Sequence, residues 1–381
     1  MNLFKSVKII DSGKSINLVK KDGTNVRYHA TWLRDNAIDP KTRNSNNGQR
    51  LISISDIPVN TYINSASLDK NKKNICIKFL PERKKISFSL DWLEKHSYDT
   101  NHSKKKGWLP KEIKIWGNGM KKNIPTLDYK IAKSNKKLLH KWLRSIYCFG
   151  FAKMTGGKDK PGAIKDVAKL IGYIRETNYG KLFDVKSKVD AINLAYTNLG
   201  LEPHTDNPYR DPVPTIQILY CIKSSVKGGD STVVDGFKAI SILKKNKPNY
   251  FDILSKYNFV FEFKGNKKTY LKSNHPIIEL SQNGELKSIR FNNRSAAPII
   301  DVPYKDMEIF YKAYRKLSKI IKNKALAVKF KLNPGECFVV DNTRVLHART
   351  SYASSGTRWL QGCYVDKDEL ISKILSAKNN N

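Results

Sequence analysis

A chain of 381 residues with 40% apolar side chains can bury a full core and carry more than one compact unit. No stretch approaches the roughly 20 uninterrupted apolar residues of a membrane helix, and five scattered cysteines, in no CxxC pairing, argue against a disulfide framework or a cysteine zinc cluster. The formal net charge of +36 invites a nucleic-acid reading, but the lysines fall in short groups along surface-type segments, the pattern of solvated faces, so no nucleic-acid partner is expected.

The opening residues carry no extended apolar segment of the secretory kind, and no membrane association is expected; the expected place is cytoplasmic. Short strands are predicted at 7–10, 15–19, 26–30, 51–54, 75–79 and 85–88, separated by Gly, Asn, Asp and Ser. They define a small β-rich N-terminal domain over 1–105. The stretch 101–125, with Lys, Gly and two Pro and little periodicity, reads as the junction. Beyond it, Leu138, Leu139, Trp142, Leu143 and Ile146 fall at helical spacing, as do Ile164, Val167, Ala168, Leu170, Ile171 and Ile174. An amphipathic helix is predicted over 306–322, and strands at 214–222, 231–234, 259–263, 289–292, 327–331, 336–340 and 359–365. The class is therefore mainly β with flanking helices, and a jelly-roll catalytic domain over 126–381 is expected, with a ligand site at its mouth.

Pro203-His204-Thr205-Asp206-Asn207 supplies two candidate metal ligands. On an extended segment residues i and i+2 project to one face, so His204 and Asp206 can reach one cation together. A third candidate, His347, comes far downstream, just after the strand that ends near Asp341. Two imidazoles and a carboxylate leave three octahedral positions open, as an Fe(II) oxygenase needs for a bidentate oxo-acid and dioxygen. A zinc hydrolase could use the same residue types, but it needs one open position and has no use for Arg358, eleven residues after His347. A guanidinium at that place forks onto a carboxylate, which suits the distal end of 2-oxoglutarate.

Several motifs in one order, Leu194-Ala195-Tyr196-Thr197, Pro203-His204-Thr205-Asp206, Val226-Lys227-Gly228-Gly229-Asp230-Ser231, Phe291-Asn292-Asn293 and Asp341-Asn342-Thr343-Arg344-Val345-Leu346-His347, closely resemble the gamma-butyrobetaine and trimethyllysine hydroxylase branch of the taurine dioxygenase superfamily. The resemblance runs from about Tyr28 to the C-terminus and includes Trp32-Leu33-Arg34-Asp35-Asn36. It implies a double-stranded β-helix with Fe(II) on His204, Asp206 and His347. It also implies 2-oxoglutarate on Arg358 beside Leu219 and Ser231, and ascorbate as reductant. By position Tyr179, Phe183, Tyr196 and Tyr364 match an aromatic cage for a quaternary ammonium, which has no N–H to donate and is held by ring quadrupoles. Phe183 stands where tryptophan is usual. Asn193 and Asn292 match the asparagines that bind the substrate carboxylate.

The reaction so implied is hydroxylation of a small trimethylammonium acid by dioxygen, gamma-butyrobetaine to L-carnitine first, with release of succinate and CO2. The alternative is 2-(trimethylamino)ethylphosphonate or another quaternary-ammonium acid, since Arg294 and Arg34 could supply extra guanidinium for a dianion. A more distant alternative is a basic nucleic-acid-binding protein on an inactive oxygenase-like fold. Some relatives hold zinc through cysteines after the Leu33-Arg34-Asp35-Asn36 motif; here 37–42 carries no thiol, so no structural zinc is expected, and apolar packing around Trp32, Leu33 and Leu51 is expected instead. A homodimer is carried over by analogy.

Overall fold

The computed structural model describes residues 3–99, 108–186, 199–265, 269–353 and 355–379. The chain divides into two compact units, Met1–Lys105 and Lys106–Asn381.

The first unit holds two three-stranded antiparallel sheets, Phe4–Ile10, Ser15–Lys20 and Asn25–His29, and Tyr62–Leu68, Asn74–Leu80 and Lys84–Ser89. Period-two alternation turns Ile75, Ile77 and Phe79 into a core shared with Ile16, Leu18, Val26 and Tyr28. The strand expected at 51–54 is absent: these residues form a bend leading into the short 3-10 turn Ile54–Asp56, and Leu51 and Ile54 are exposed. The second sheet instead begins at Tyr62–Leu68, an edge strand whose Asn and Ser residues masked its period. Ala30 leaves the strand and opens the helix Ala30–Asp35.

The expected apolar packing after that helix is corrected in part. Leu33 is buried and Trp32 packs on the same core, but Leu51 points to solvent. The segment is fastened by charge instead. Arg34 forks onto Glu82 at 2.6 and 2.8 Å and donates to the buried Thr42 hydroxyl at 3.1 Å, and Lys84 lies 3.3 Å from Asp39.

The second unit is built on two antiparallel sheets. The larger runs Phe183–Val185, Arg358–Val365, Ile216–Ser224, Cys337–Asp341, Phe151–Thr155 and Thr126–Asp128, the last pair parallel, with Ile174–Arg175 also paired to Arg358–Val365. The smaller runs Leu201–His204, Val345–Arg349, Ser231–Asp235 and Ala327–Phe330. Phe151, Leu219, Val233, Val328, Phe338 and Leu360 come from both sheets into one cluster, so the sheets face each other. The outer face of the larger sheet is covered by the helices Lys136–Phe149, Ile164–Ile171 and Lys367–Asn379 through Trp142, Ile146, Val167 and Leu370.

The strand Ile216–Ser224 is buried on both faces, which explains its nearly unbroken apolar run; Gln217 is the exception inside it. A third layer packs the helices Gly236–Asn246, Pro248–Lys256 and Tyr304–Ile321 with the hairpin Asn258–Lys264 and Tyr270–Pro276. Residues 108–125, expected to be a junction, belong to this unit: Trp116 is buried and its backbone N–H donates to Asp235 at 3.0 Å. Among the described residues no helix is long and apolar enough to cross a membrane.

Candidate active site

Sheet register brings the two histidines together. His204 ends its strand directly opposite His347 on Val345–Arg349, and the ring centroids lie 4.4 Å apart. Asp206 follows just past the strand end. The side chain of Asn342 holds it there as a neighbouring strand would: Asn342 Oδ1 accepts from the Asp206 backbone N–H at 2.6 Å, and Nδ2 donates to the Asp206 carbonyl at 2.9 Å. Thr205 is tied on the other side, donating its N–H to the Phe291 carbonyl at 2.8 Å and accepting the Phe291 N–H on its hydroxyl at 3.0 Å. With both neighbours fixed, Asp206 Oδ1 comes to 3.3 Å from His204 Nε2 and 3.8 Å from His347 Nε2.

Ligand atoms of the three side chains all lie within 4.8 Å of one another, close enough to share one ion. His204 Nδ1 lies 2.8 Å from the Glu202 carbonyl, which only accepts, so Nδ1 is the donor there and Nε2 is the ring nitrogen turned toward Asp206. Burial, reinforced by the neighbouring His204, pushes His347 down to about 3, so its imidazole is neutral at ordinary pH. Burial works against the charge of Asp206, but the imidazoles of His347 and His204 outweigh it and hold the carboxyl below the ordinary carboxylate range. Two imidazoles and one carboxylate fit a divalent transition ion with positions left open.

A cavity of about 400 Å³ opens over this group. At one end lies Arg358, whose Nε donates to the Gly229 carbonyl at 3.1 Å and whose guanidinium sits 5.6 Å from the Tyr352 ring. Gly229 (φ +70°) must lack a side chain: a Cβ there would come within 2.9 Å of Arg358 Cδ. Burial, with Arg349 nearby, lowers Arg358 to about 10, which still leaves a cation at neutral pH. Its Nη1 is buried with no hydrogen-bond partner among the described residues, which fits a carboxylate arriving from outside. Leu219 and Ser231 line the same cavity.

Aromatic rings form another wall. Phe183 and Tyr364 have centroids 5.2 Å apart, Tyr179 and Phe183 6.3 Å. Tyr209 and Phe263 complete it, stacked at 4.9 Å. Neither was expected from the sequence; Tyr209, three residues past Asp206, could have been suspected, whereas Phe263 lies on a distant hairpin with no local signal. Tyr364 also turns its hydroxyl to Asp206 Oδ2 at 2.9 Å. Asn292 lines the cavity, but its side chain is engaged by backbone: Nδ2 donates to the Thr205 carbonyl at 3.1 Å and Oδ1 accepts from the Arg294 N–H at 3.1 Å. Asn193 and Tyr196 lie outside the described residues.

A cavity between facing β-sheets, with a His-Asp-His triad close enough to share a metal ion on one wall and a desolvated guanidinium within it, is the working arrangement of Fe(II)- and 2-oxoglutarate-dependent dioxygenases, and this chain is one. It belongs to the taurine catabolism dioxygenase TauD, TfdA family, whose family model matches residues 117–364, and within it to the gamma-butyrobetaine and trimethyllysine branch. Over 97% of its length it is 34% identical to the gamma-butyrobetaine dioxygenase of Homo sapiens, covering 96% of that protein. It is 30% identical to the gamma-butyrobetaine dioxygenase of Pseudomonas sp. (strain AK-1), with 94% of this chain and 93% of that protein matched. The mitochondrial trimethyllysine dioxygenase of Mus musculus is also 30% identical, over 92% of this chain and 82% of its own length.

Proposed function

We propose that the chain hydroxylates a small trimethylammonium acid at the expense of 2-oxoglutarate and dioxygen, converting gamma-butyrobetaine to L-carnitine with release of succinate and CO2. The observation that carries this reading is the aromatic wall of Tyr179, Phe183, Tyr209, Phe263 and Tyr364 in the same cavity as His204, Asp206 and His347. A trimethylammonium group cannot donate hydrogen bonds, and ring faces are what hold it. The relatives named gamma-butyrobetaine dioxygenase support the choice of acid. We read the facing sheets as a double-stranded β-helix.

His204, Asp206 and His347 would hold Fe(II), which when bound supplies the activation of dioxygen needed to attack an unactivated C–H bond. The remaining work is placement. Arg358 takes the distal carboxylate of 2-oxoglutarate, with Leu219 and Ser231 beside it, and the aromatic wall holds the cationic end of the substrate. Asn292, with Asn193 and Tyr196 assigned by resemblance, is proposed for the remaining substrate contacts. Misplacement by about an ångström costs on the order of a hundredfold in rate, so these contacts set catalysis as well as affinity.

Arg358→Ala is expected to raise the KM for 2-oxoglutarate by about tenfold or more while leaving the KM for the betaine near its original value. Steady-state kinetics on both substrates checks the split. Gly362 offers a sharper test of the wall. It lies directly opposite Phe183 in the sheet, and a Cβ there would fall 2.2 Å from the ring. Gly362→Ala should displace Phe183 and raise the KM for the trimethylammonium substrate several-fold; Phe183→Leu in the same chain should relieve the crowding. An unchanged betaine KM in Gly362→Ala would remove Phe183 from the binding wall.

One observation favours the phosphonate as a second reading: Arg294 lines the cavity. Arg34, the other guanidinium considered for it, is committed to Glu82 and Thr42. Competition between the two betaines, followed by succinate release with iron, ascorbate and 2-oxoglutarate present, is expected to favour gamma-butyrobetaine. A preference for the phosphonate would replace the first reading with the second.

A further inference from the structure

We propose that Gln217 is a positioning residue for the metal-binding carboxylate, holding Asp206 so that only one of its oxygens is offered to the ion. The inference rests on the reading of His204, Asp206 and His347 as an Fe(II) site and assigns a residue to that site's geometry.

Gln217 is 1% exposed in the buried stretch 216–222 of its strand, whose other side chains are apolar or aromatic, and the strand is paired on both sides. A leucine or methionine would pack there without desolvating an amide, so core formation alone gives no reason for glutamine. Its Nε2 donates to Asp206 Oδ2 at 2.6 Å. A carboxylate only accepts, so the orientation of the amide is fixed, and Oε1 is left buried with no partner among the described residues.

Gln217 sits directly across the sheet from Tyr364, and the two side chains converge on the same oxygen, the tyrosine hydroxyl reaching Oδ2 at 2.9 Å. A carboxylate oxygen only accepts, so the Tyr364 hydroxyl is the donor in this contact. Two donors on Oδ2 leave Oδ1, the oxygen nearest both imidazoles, to face the ion. A carboxylate pinned in this way is kept from swinging round to bind through both oxygens and closing a position that the oxo-acid or dioxygen must occupy. Tyr364 also belongs to the aromatic wall, whereas Gln217, though it borders the cavity, is no part of that wall and directs its hydrogen bond to the carboxylate, which makes it the cleaner residue to change.

The test uses the full-length chain, stripped of metal, and Co(II) as a spectroscopic stand-in for Fe(II), titrated without substrate. Gln217→Met keeps the volume and removes the donor; Tyr364→Phe keeps the ring and removes the second donor. Each variant is expected to bind Co(II) about tenfold to a hundredfold more weakly. A changed visible spectrum is also expected, since a second carboxylate oxygen would take a position otherwise left open. Thermal unfolding of metal-free Gln217→Met should be at or above the wild-type midpoint; a role in core packing alone would lower it. Co(II) affinity within twofold of wild type and an unchanged spectrum in Gln217→Met would overturn the proposal while leaving the metal site standing. A wild-type chain that takes up no Co(II) would overturn the Fe(II) reading and this proposal with it.

Discussion

Asp206→Ala is expected to lose catalysis by on the order of a thousandfold or more, together with stoichiometric metal uptake. The reason is charge as much as geometry. Asp206 is the only carboxylate of the cluster among the described residues, so its removal leaves a divalent cation facing two imidazoles in a cavity that also contains Arg294, Arg349 and Arg358. The same change orphans the donors of Gln217 and Tyr364, each a buried group costing about 1–3 kcal/mol when unsatisfied. Metal content, succinate release and circular dichroism on the same preparation separate a lost site from a lost fold. Turnover within tenfold of wild type in a folded variant would end the metal reading.

The largest effect on stability is expected away from the cavity. Arg344 and Asp235 form a bidentate pair at 3.0 and 2.9 Å with side chains 1% and 0% exposed. The guanidinium also donates to the carbonyls of Cys148 and Lys114 at 2.9 and 2.7 Å, and Asp235 accepts the backbone N–H groups of Trp116 and Phe237. This network fastens the start of the strand that carries His347 to the segment around Trp116 and to the helix Gly236–Asn246. Arg344→Met leaves a buried carboxylate without its cation and is expected to destabilise the unit by about 3–5 kcal/mol, read as a fall in the urea midpoint. Adding Asp235→Leu should recover part of that loss, because the uncompensated charge goes with it. A midpoint unchanged in Arg344→Met would show that the backbone contacts alone fix this strand.

Much of the site could be read before the structure because it is local or strand-coded. His204 and Asp206 share a face by alternation, and Arg358 opens a strand that returns beside the cavity. Gly229 was legible only as part of a motif, and its close approach to the Arg358 side chain came with the structure. The unread parts depend on partners far away in sequence. Nothing near Asn342 reveals that its amide substitutes for a strand beside Asp206. A single glutamine in an apolar run gives no hint of the carboxylate it meets. In the first unit, Leu51 resembled a core residue by type alone, whereas the Arg34, Glu82 and Thr42 contacts that hold the segment join residues from separate elements. Helices such as Gly236–Asn246 and Pro248–Lys256 went unread although Phe237, Ile240 and Leu243 in the first and Phe251 and Leu254 in the second keep helical spacing.

The histidines facing each other across Leu201–His204 and Val345–Arg349 give the chain an uneven tolerance to insertion and deletion. Side chains on a strand reverse direction at every step, so loss of one residue within either segment would turn an imidazole to the opposite side of the sheet. Grafts of different length into the connecting loops leave that frame untouched. Variation in this lineage should therefore accumulate in connections that can reshape substrate choice, while the two short ligand-bearing strands admit replacement but not slippage.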